Sequence, residues 1–290
     1  MTPLVVLGAG GQVGQAVVRA AQARGLDVRA HPRASLDISD RVALAAALPG
    51  AAVVVNCAAV TSVDDAARDP ARAYAINAGA VAALALACRD AGVPLIHLST
   101  DYVFDGTGAR PWRESDAPSP VNVYGASKLA GEQAIPLIWP RHLILRISWV
   151  FGARGNNFVR SMLALARRRA VLRIVADQIG RPTPADACAD AILDLAARCR
   201  DPAFDAWGLY HFAGSPPVSR YDFVRSILAD RPSVRLEPIA SADAGDIARR
   251  PLNAVLDCSL IERRFGIASP SWEASLPAVR RAIEADLDPR

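Results

Sequence analysis

Tyr124 and Lys128 are the residues whose types and spacing best suit acid–base chemistry. Four residues apart on a helix, they share one face and lie one turn from each other. An ammonium beside a phenol favours the phenolate, so the pair predicts a Tyr pKa below its reference of about 10. Such a phenol can give a proton to a carbonyl that is receiving hydride. By itself Tyr-x-x-x-Lys is frequent on helices, where a half-buried Tyr packs over a surface Lys. It gains weight from Gly8-Ala9-Gly10-Gly11-Gln12-Val13-Gly14, which follows the apolar run Leu4–Leu7 and opens a helical pattern. In that strand–turn–helix setting, glycines allow a tight turn and a close backbone approach to a pyrophosphate at the helix N-terminus. Gly8, Gly10, Gly11, Gln12 and Val13 are therefore the expected dinucleotide contacts.

Other residues extend this pattern. Leu98-Ser99-Thr100 ends a strand at the edge where open α/β sheets bind ligands. A hydroxyl there can orient a substrate carbonyl beside the Tyr; Thr100 is favoured over Ser99, although strand-end hydroxyls are often only caps. After the second strand the chain reads Ala30-His31-Pro32-Arg33, with no Asp or Glu for the ribose hydroxyls. A cation there suits a 2′-phosphate, so Arg33 favours NADPH, with NADH as the alternative. Asn56-Cys57-Ala58-Ala59 follows the third strand. The small residues admit a cofactor close to the backbone at Asn56, Ala58 and Ala59, while Cys57 reads as packing.

The elements that must position these groups are legible in outline. Leu4–Leu7, Leu26–Ala30, Ala52–Val55, Leu95–Leu98 and Leu143–Ile147 read as buried parallel strands. Helical patterns cover Gln12–Arg24, Arg41–Leu48 and Pro70–Ala91, the last opened by Asp69-Pro70 and closed by Gly92-Val93-Pro94. The alternation predicts an α/β fold, a Rossmann-type doubly wound parallel sheet. Beyond Asn156 the pattern loosens and prolines crowd. Helices are expected at Asn157–Arg169, Pro184–Arg200 and Arg220–Ala229, with strands at Leu172–Val175 and Gly208–Phe212. The expected division is a dinucleotide-binding core over 1–155 that carries the Tyr and Lys. The rest, 156–290, is mainly a smaller substrate-binding lobe, some of its strands returning to the core sheet.

At 290 residues and 52% hydrophobic, the chain can bury a sizeable core. A net charge of +4, spread mostly as scattered Arg, lacks the dense basic and aromatic clustering of a nucleic-acid surface. The five cysteines have neither CxxC nor metal-ligand spacing and read as buried residues of a reducing compartment; no metal is expected. The first strand starts almost at Met1, leaving no room for a signal peptide, and the apolar run Ala80–Cys88 is too short to span a bilayer. A cytoplasmic protein with no membrane or nucleic-acid partner is expected.

The run Ser99-Thr100-Asp101-Tyr102-Val103-Phe104-Asp105-Gly106, with Pro118-x-Pro120-x-Asn122-Val123-Tyr124-Gly125-x-Ser127-Lys128-Leu129-x-Gly131-Glu132, resembles the extended short-chain dehydrogenases that act on sugar nucleotides. The spacing of the glycine turn is also the short-chain variant. Within that group the chain is most similar to the dTDP-4-dehydrorhamnose reductase family. The marks are Arg146 to Gly152, Gly155 to Val159, Asp177 to Thr183, Gly208 to Phe212 and Arg249 to Asn253, so the likeness runs nearly end to end. It implies NADPH-dependent reduction of dTDP-4-dehydro-β-L-rhamnose at C4, with Tyr124 as proton donor, Lys128 on the nicotinamide ribose and Thr100 orienting the carbonyl. Asp37 and Ile38 would border the adenine. Thr61, Val63, Asp64, Tyr102 and Trp149 would line the sugar site, and Arg250 would meet the nucleotide or its pyrophosphate. The chain departs from the family pattern at Val60, often His, at Ala254, often Ser, and at the acidic positions of a metal-linked dimer; a homodimer as such is compatible. Two other readings stand beside the main one: a reductase of another nucleotide-4-keto-6-deoxy sugar, since pocket residues choose the sugar, and a non-catalytic NADP-binding regulatory subunit resembling that of methionine adenosyltransferase.

Overall fold

The computed structural model describes residues 2–287. In chain order its strands are β1 (Leu4–Leu7), β2 (Val28–His31), β3 (Val53–Asn56), β4 (Leu95–Thr100), β5 (His142–Ile147), β6 (Val150–Phe151), β7 (Val171–Val175), β8 (Ile179–Gly180), β9 (Thr183–Pro184), β10 (Gly208–Phe212), β11 (Val218–Ser219) and β12 (Arg235–Ile239). The helices are α1 (Gln12–Ala23), α2 (Arg41–Ala47), α3 (Val63–Arg68), α4 (Pro70–Tyr74), α5 (Val81–Ala91), α6 (Val123–Ile138), α7 (Phe158–Ala166), α8 (Ala185–Cys199), α9 (Arg220–Ile227), α10 (Ser259–Phe265) and α11 (Trp272–Leu287).

Six strands form one parallel sheet in the order β10-β5-β4-β3-β1-β2. Every residue of β1, β3 and β4 is buried, as expected of central parallel strands covered on both faces. β2, at an edge, is half exposed and carries Arg29. On one face Val6, Val55 and Ile96 pack with Val17 of α1 and Ile192 and Leu195 of α8. On the other, Val5, Leu7, Val54 and Leu95 meet Leu44 of α2, Leu84 of α5 and Ile135 of α6. The two helical layers bury the sheet's apolar surface and leave the carboxyl ends of the strands as the open edge.

The expected strands and helices all appear, with ends shifted by a residue or a few. The helix read over Pro70–Ala91 is continuous in the chain, but Ala75–Ala80 winds as a π-helix. Asp69 caps its start by accepting from Arg72 N, and Gly92 ends it in the left-handed conformation at φ 66°. By length and composition alone this stretch is long and apolar enough to cross a bilayer. It is placed instead as a core helix, with Ala73, Asn77, Ala80, Val81 and Leu84 buried.

Two elements of the second half belong to the sheet layer. β10 pairs with β5, and α8 lies on α1, where Arg24 bridges Asp190 and Asp194 at 2.8 and 2.9 Å. The separate lobe is smaller. It comprises α7, α9, α11 and the parallel pair β7–β12, around Phe151, Leu163, Phe223, Trp272 and Ile283.

Candidate active site

A cleft of about 800 Å³ runs along the carboxyl ends of β1, β3 and β4 and is closed on its far side by the smaller lobe. Gly8, Gly10, Gly11, Gln12 and Val13 form one end. Gly8 has φ 70°, and a Cβ there would stand 2.6 Å from Ala58 N, so no larger residue fits between the turn and the β3 end. Gly10 faces open space instead. Its nearest neighbour would be Pro32 Cβ at 3.6 Å, which leaves a cradle that a ligand can approach. Arg33, Asp37 and Ile38 continue this end; Arg33 lies 3.4 Å from Asp37 and is mostly exposed. Two buried polar atoms in the wall, Gln12 Oε1 and Ser99 Oγ, have no partner within the protein. The cradle at the α1 N-terminus and these orphaned acceptors fit a dinucleotide.

Close helix packing brings α6 to the other end. Asn122 caps it, accepting from Gly125 N at 2.9 Å and donating to Arg249 O. A Cβ at Gly125 would stand 2.0 Å from Tyr102 O, and one at Gly131 would stand 2.1 Å from Asn77 O, so α6 sits directly against both backbones. Asn77 lies on the π-helical turn. Its amide brackets the Val60 backbone with bonds of 2.8 and 3.0 Å and donates to Ser127 Oγ at 3.0 Å. The wide turn therefore aims one buried side chain at both the cleft wall and α6.

Tyr124 and Lys128 both line the cleft, beside Thr100. Tyr102 packs edge-on against Tyr124, with ring centroids 5.6 Å apart. The expected depression of the phenol pKa is reversed. Burial pushes Tyr124 above its ordinary value; a hydrogen bond with Thr100 works against this, and Asp101 and Tyr102 add to it. Lys128 is 2% exposed, and burial pushes it down to about 8, against Glu132 and Cys57, which raise it. Its Nζ donates to Leu98 O at 2.7 Å and lies 3.2 Å from His97 Nε2. A phenol raised in this way keeps its proton at neutral pH, which suits a donor.

Thr100 belongs to a further buried chain of hydroxyl and carboxyl groups. Its Oγ1 donates to Asp101 Oδ1 at 3.0 Å, and Ser148 Oγ donates to Asp101 Oδ2 at 2.7 Å. Burial pushes Asp101 up to about 6, against those two hydrogen bonds. Beyond them Trp149 holds φ 42°, a left-handed backbone unusual for a bulky residue. The Arg220 guanidinium stacks over Trp149 at 4.1 Å and over Phe158 at 4.8 Å, and donates to Gln178 Oε1 at 3.1 Å. All three stacked residues face the cleft.

The family model for the RmlD substrate binding domain matches residues 1–284. The chain belongs to this family. It is 40% identical over 281 residues to the dTDP-4-dehydrorhamnose reductase of Sinorhizobium fredii, covering 94% of each chain. With the enzyme of that name from Aggregatibacter actinomycetemcomitans it shares 36% identity over 98% of this chain and 100% of the other. Among solved structures, dTDP-4-dehydrorhamnose reductase from Bacillus anthracis in complex with NADP matches with a TM-score of 0.89 at 31% identity, covering 96% of this chain and 98% of that one.

In this member of the RmlD family, Thr61, Val63, Tyr102 and Trp149 line the cleft with Ala58 and Ala59. Three expected contacts stand off its wall. Asn56 is fully buried, accepting from Ala58 N and donating to His97. Asp64 is engaged with Arg250 at 3.2 Å, and Arg250 also pairs with Asp246 at 2.5 Å. The positive charge assigned to an anion at Arg250 is thus already balanced by two carboxylates. The sequence pattern marks neither Arg220 nor Asp101 as a site residue, although both line the cleft. The apolar stacking of Arg220 depends on a chain return of some seventy residues, which no local pattern announces, whereas Asp101 directly follows Thr100 and was within reach.

Proposed function

We propose that this protein reduces dTDP-4-dehydro-β-L-rhamnose to dTDP-β-L-rhamnose with NADPH. The observation that carries the reading is one cleft with a glycine cradle at one end and Thr100, Tyr124 and Lys128 at the other. A reduced dinucleotide supplies hydride to the C4 carbonyl carbon when bound. The backbone of Gly10 and Gln12 offers N–H groups to its pyrophosphate at the α1 N-terminus, while Gly11 N–H donates to Gly8 O and holds the turn. Arg33 offers a cation to a 2′-phosphate, and Asp37 and Ile38 border the adenine. Tyr124 gives its proton to the C4 oxygen, Thr100 orients that oxygen, and Lys128 bonds the nicotinamide ribose. Trp149 presents an apolar face to the sugar, flanked by Thr61, Val63 and Tyr102, with Arg220 available to the anionic linker. Residues 1–155 hold the dinucleotide, and 156–290 mainly hold the sugar nucleotide while contributing α8 and β10 to the core.

The test is NADPH oxidation on addition of dTDP-4-dehydro-L-rhamnose, by the native chain and by Tyr124→Phe. Turnover yielding dTDP-L-rhamnose, reduced about 100-fold or more in the variant with NADPH affinity retained, is expected. Absence of turnover by a folded protein that binds NADPH contradicts the assignment. Turnover only with a different nucleotide-4-keto-6-deoxy sugar would move it to that substrate.

A further inference from the structure

On the lobe side, the cleft wall contains a cation that the protein leaves unbalanced. Arg220 opens α9, a position where the helix end disfavours positive charge, and it forms no ion pair among the described residues. Burial lowers its pKa from the ordinary value, yet a guanidinium keeps its charge in proteins. The acidic groups nearby are engaged elsewhere: Asp101 accepts from Thr100 and Ser148, and Asp246 pairs with Arg250. Trp149 and Phe158 cover the guanidinium with their rings, so its N–H edges are what remain to bond. Behind it runs a hydrogen-bonded chain whose direction is fixed. Ser241 N donates to both Asp177 oxygens at 3.0 Å, and Ser241 Oγ donates its one proton to Asp177 Oδ1 at 2.6 Å. Against burial, those bonds hold the Asp177 carboxyl below its ordinary value, so at neutral pH it only accepts. Ser241 Oγ must then accept from Gln178, 3.0 Å away, which turns that amide's nitrogen to Ser241 and its oxygen to Arg220. Arg220 Nε donates to this oxygen at 3.1 Å, and Arg220 N donates to Gln178 O at 2.9 Å. Among the described residues neither Nη group of Arg220 has a hydrogen-bond partner.

We propose that Gln178, its amide oriented by Asp177 and Ser241, is a positioning residue that holds Arg220 by Nε and leaves both Nη groups to the diphosphate of the sugar nucleotide. Parallel N–H groups of a guanidinium fork match the paired oxygens of a phosphate, and the phosphate supplies the missing counter-charge. A long side chain free to swing would lose rotamer freedom on binding; one held in advance loses little. Gln178 is 2% exposed and stands behind the cleft lining, so it acts through Arg220 and not by touching the ligand. The place of Arg220 decides between the two diphosphates. It stands beside Trp149 on the lobe side, whereas the glycine cradle that fits the dinucleotide lies at the sheet edge. The inference rests on the proposed reading of the ligand as a sugar nucleotide, but not on which keto-sugar is reduced.

The test is calorimetric titration of NADP⁺, and of dTDP into protein saturated with NADP⁺, for the native chain, Gln178→Met, Arg220→Met and the double variant. Gln178→Met should raise the Kd for dTDP roughly five- to tenfold and leave that for NADP⁺ within about twofold. Beside Arg220→Met the same substitution should add less than about twofold, because its effect passes through the guanidinium. A general loosening of the lobe would act in both backgrounds, so an additive loss overturns the proposal. Unchanged dTDP affinity overturns it too, as does a loss that falls on NADP⁺. Should Gln178→Met fail to fold, Ser241→Ala takes its place, since it removes the acceptor that orients the amide. A rise of roughly twofold or more is then expected for dTDP alone, absent beside Arg220→Met, and no rise refutes the proposal. UDP is titrated in parallel, so that a chain specific for another base still reports on the diphosphate; a native chain that binds neither overturns the inference. A protein that reduces no keto-sugar yet shows this coupling loses the reductase reading and keeps the positioning role.

Discussion

At the scale of the residue, the proposed chemistry rests on groups whose charge is unfavourable where they sit. Burial raises Tyr124 and Asp101 and lowers Lys128, so each is shifted toward its uncharged form. For Asp101 the consequence can be measured. Its carboxyl is pushed up to about 6, so between an unfolded value of about 3.9 and that pH the folded chain holds a proton the unfolded chain has lost. Its stabilising contribution is therefore complete below the unfolded pKa and is lost as pH rises through the folded one. Urea midpoints near pH 4.5 and near pH 7 should show this loss in the native chain, and a smaller loss in Asp101→Asn. At the cofactor end, Arg33→Ala should raise the KM for NADPH by roughly tenfold or more while leaving that for NADH nearly unchanged, read from initial rates with each. That Tyr124, Lys128 and Thr100 share one cleft was legible because the signals are local: a four-residue helical spacing and a strand end. The direction of the Tyr124 shift was not legible. It depends on how deeply α6 is buried and on neighbours from β4, neither of which a spacing encodes.

At the scale of the element, α6 works because small residues let it approach its neighbours. Gly131→Ala would drive a Cβ toward Asn77 O, where only 2.1 Å is available. It should cost about 1–3 kcal/mol in urea unfolding, and kcat should fall further than stability loss explains, since Tyr124 and Lys128 ride on the same helix. The strands of the first half were readable because central parallel strands are continuous apolar runs, as in Leu4–Leu7 and Val53–Asn56. β12 was not. Arg235–Ile239 is only partly buried and contains Pro238, so it shows neither a run nor a clean alternation. The π-helical turn was equally hidden, because its apolar pattern continues the helix on either side and Asn77 declares its role only by reaching Val60 and Ser127.

At the scale of the whole molecule, the cleft joins the glycine cradle at the sheet edge, the proposed dinucleotide end, to a lobe with its own apolar centre. Arg220 and Trp149 stand on the lobe side, so the two ends should respond separately to substitution. Arg220→Met should raise the KM for the sugar nucleotide by roughly tenfold or more and leave the NADPH dissociation constant unchanged, measured by fluorescence titration. The passage of β10 and α8 back into the core was foreseen only as strands returning to the sheet; the pairing of α8 with α1 through Arg24 is a long-range matter. The most direct measurement of hydride delivery in this cleft is the product formed from dTDP-4-dehydro-L-rhamnose with NADPH deuterated at the transferring position. One deuterium at C4 of dTDP-L-rhamnose is the expected result; rhamnose formed without deuterium at C4, or no product from folded protein saturated with cofactor, would contradict it.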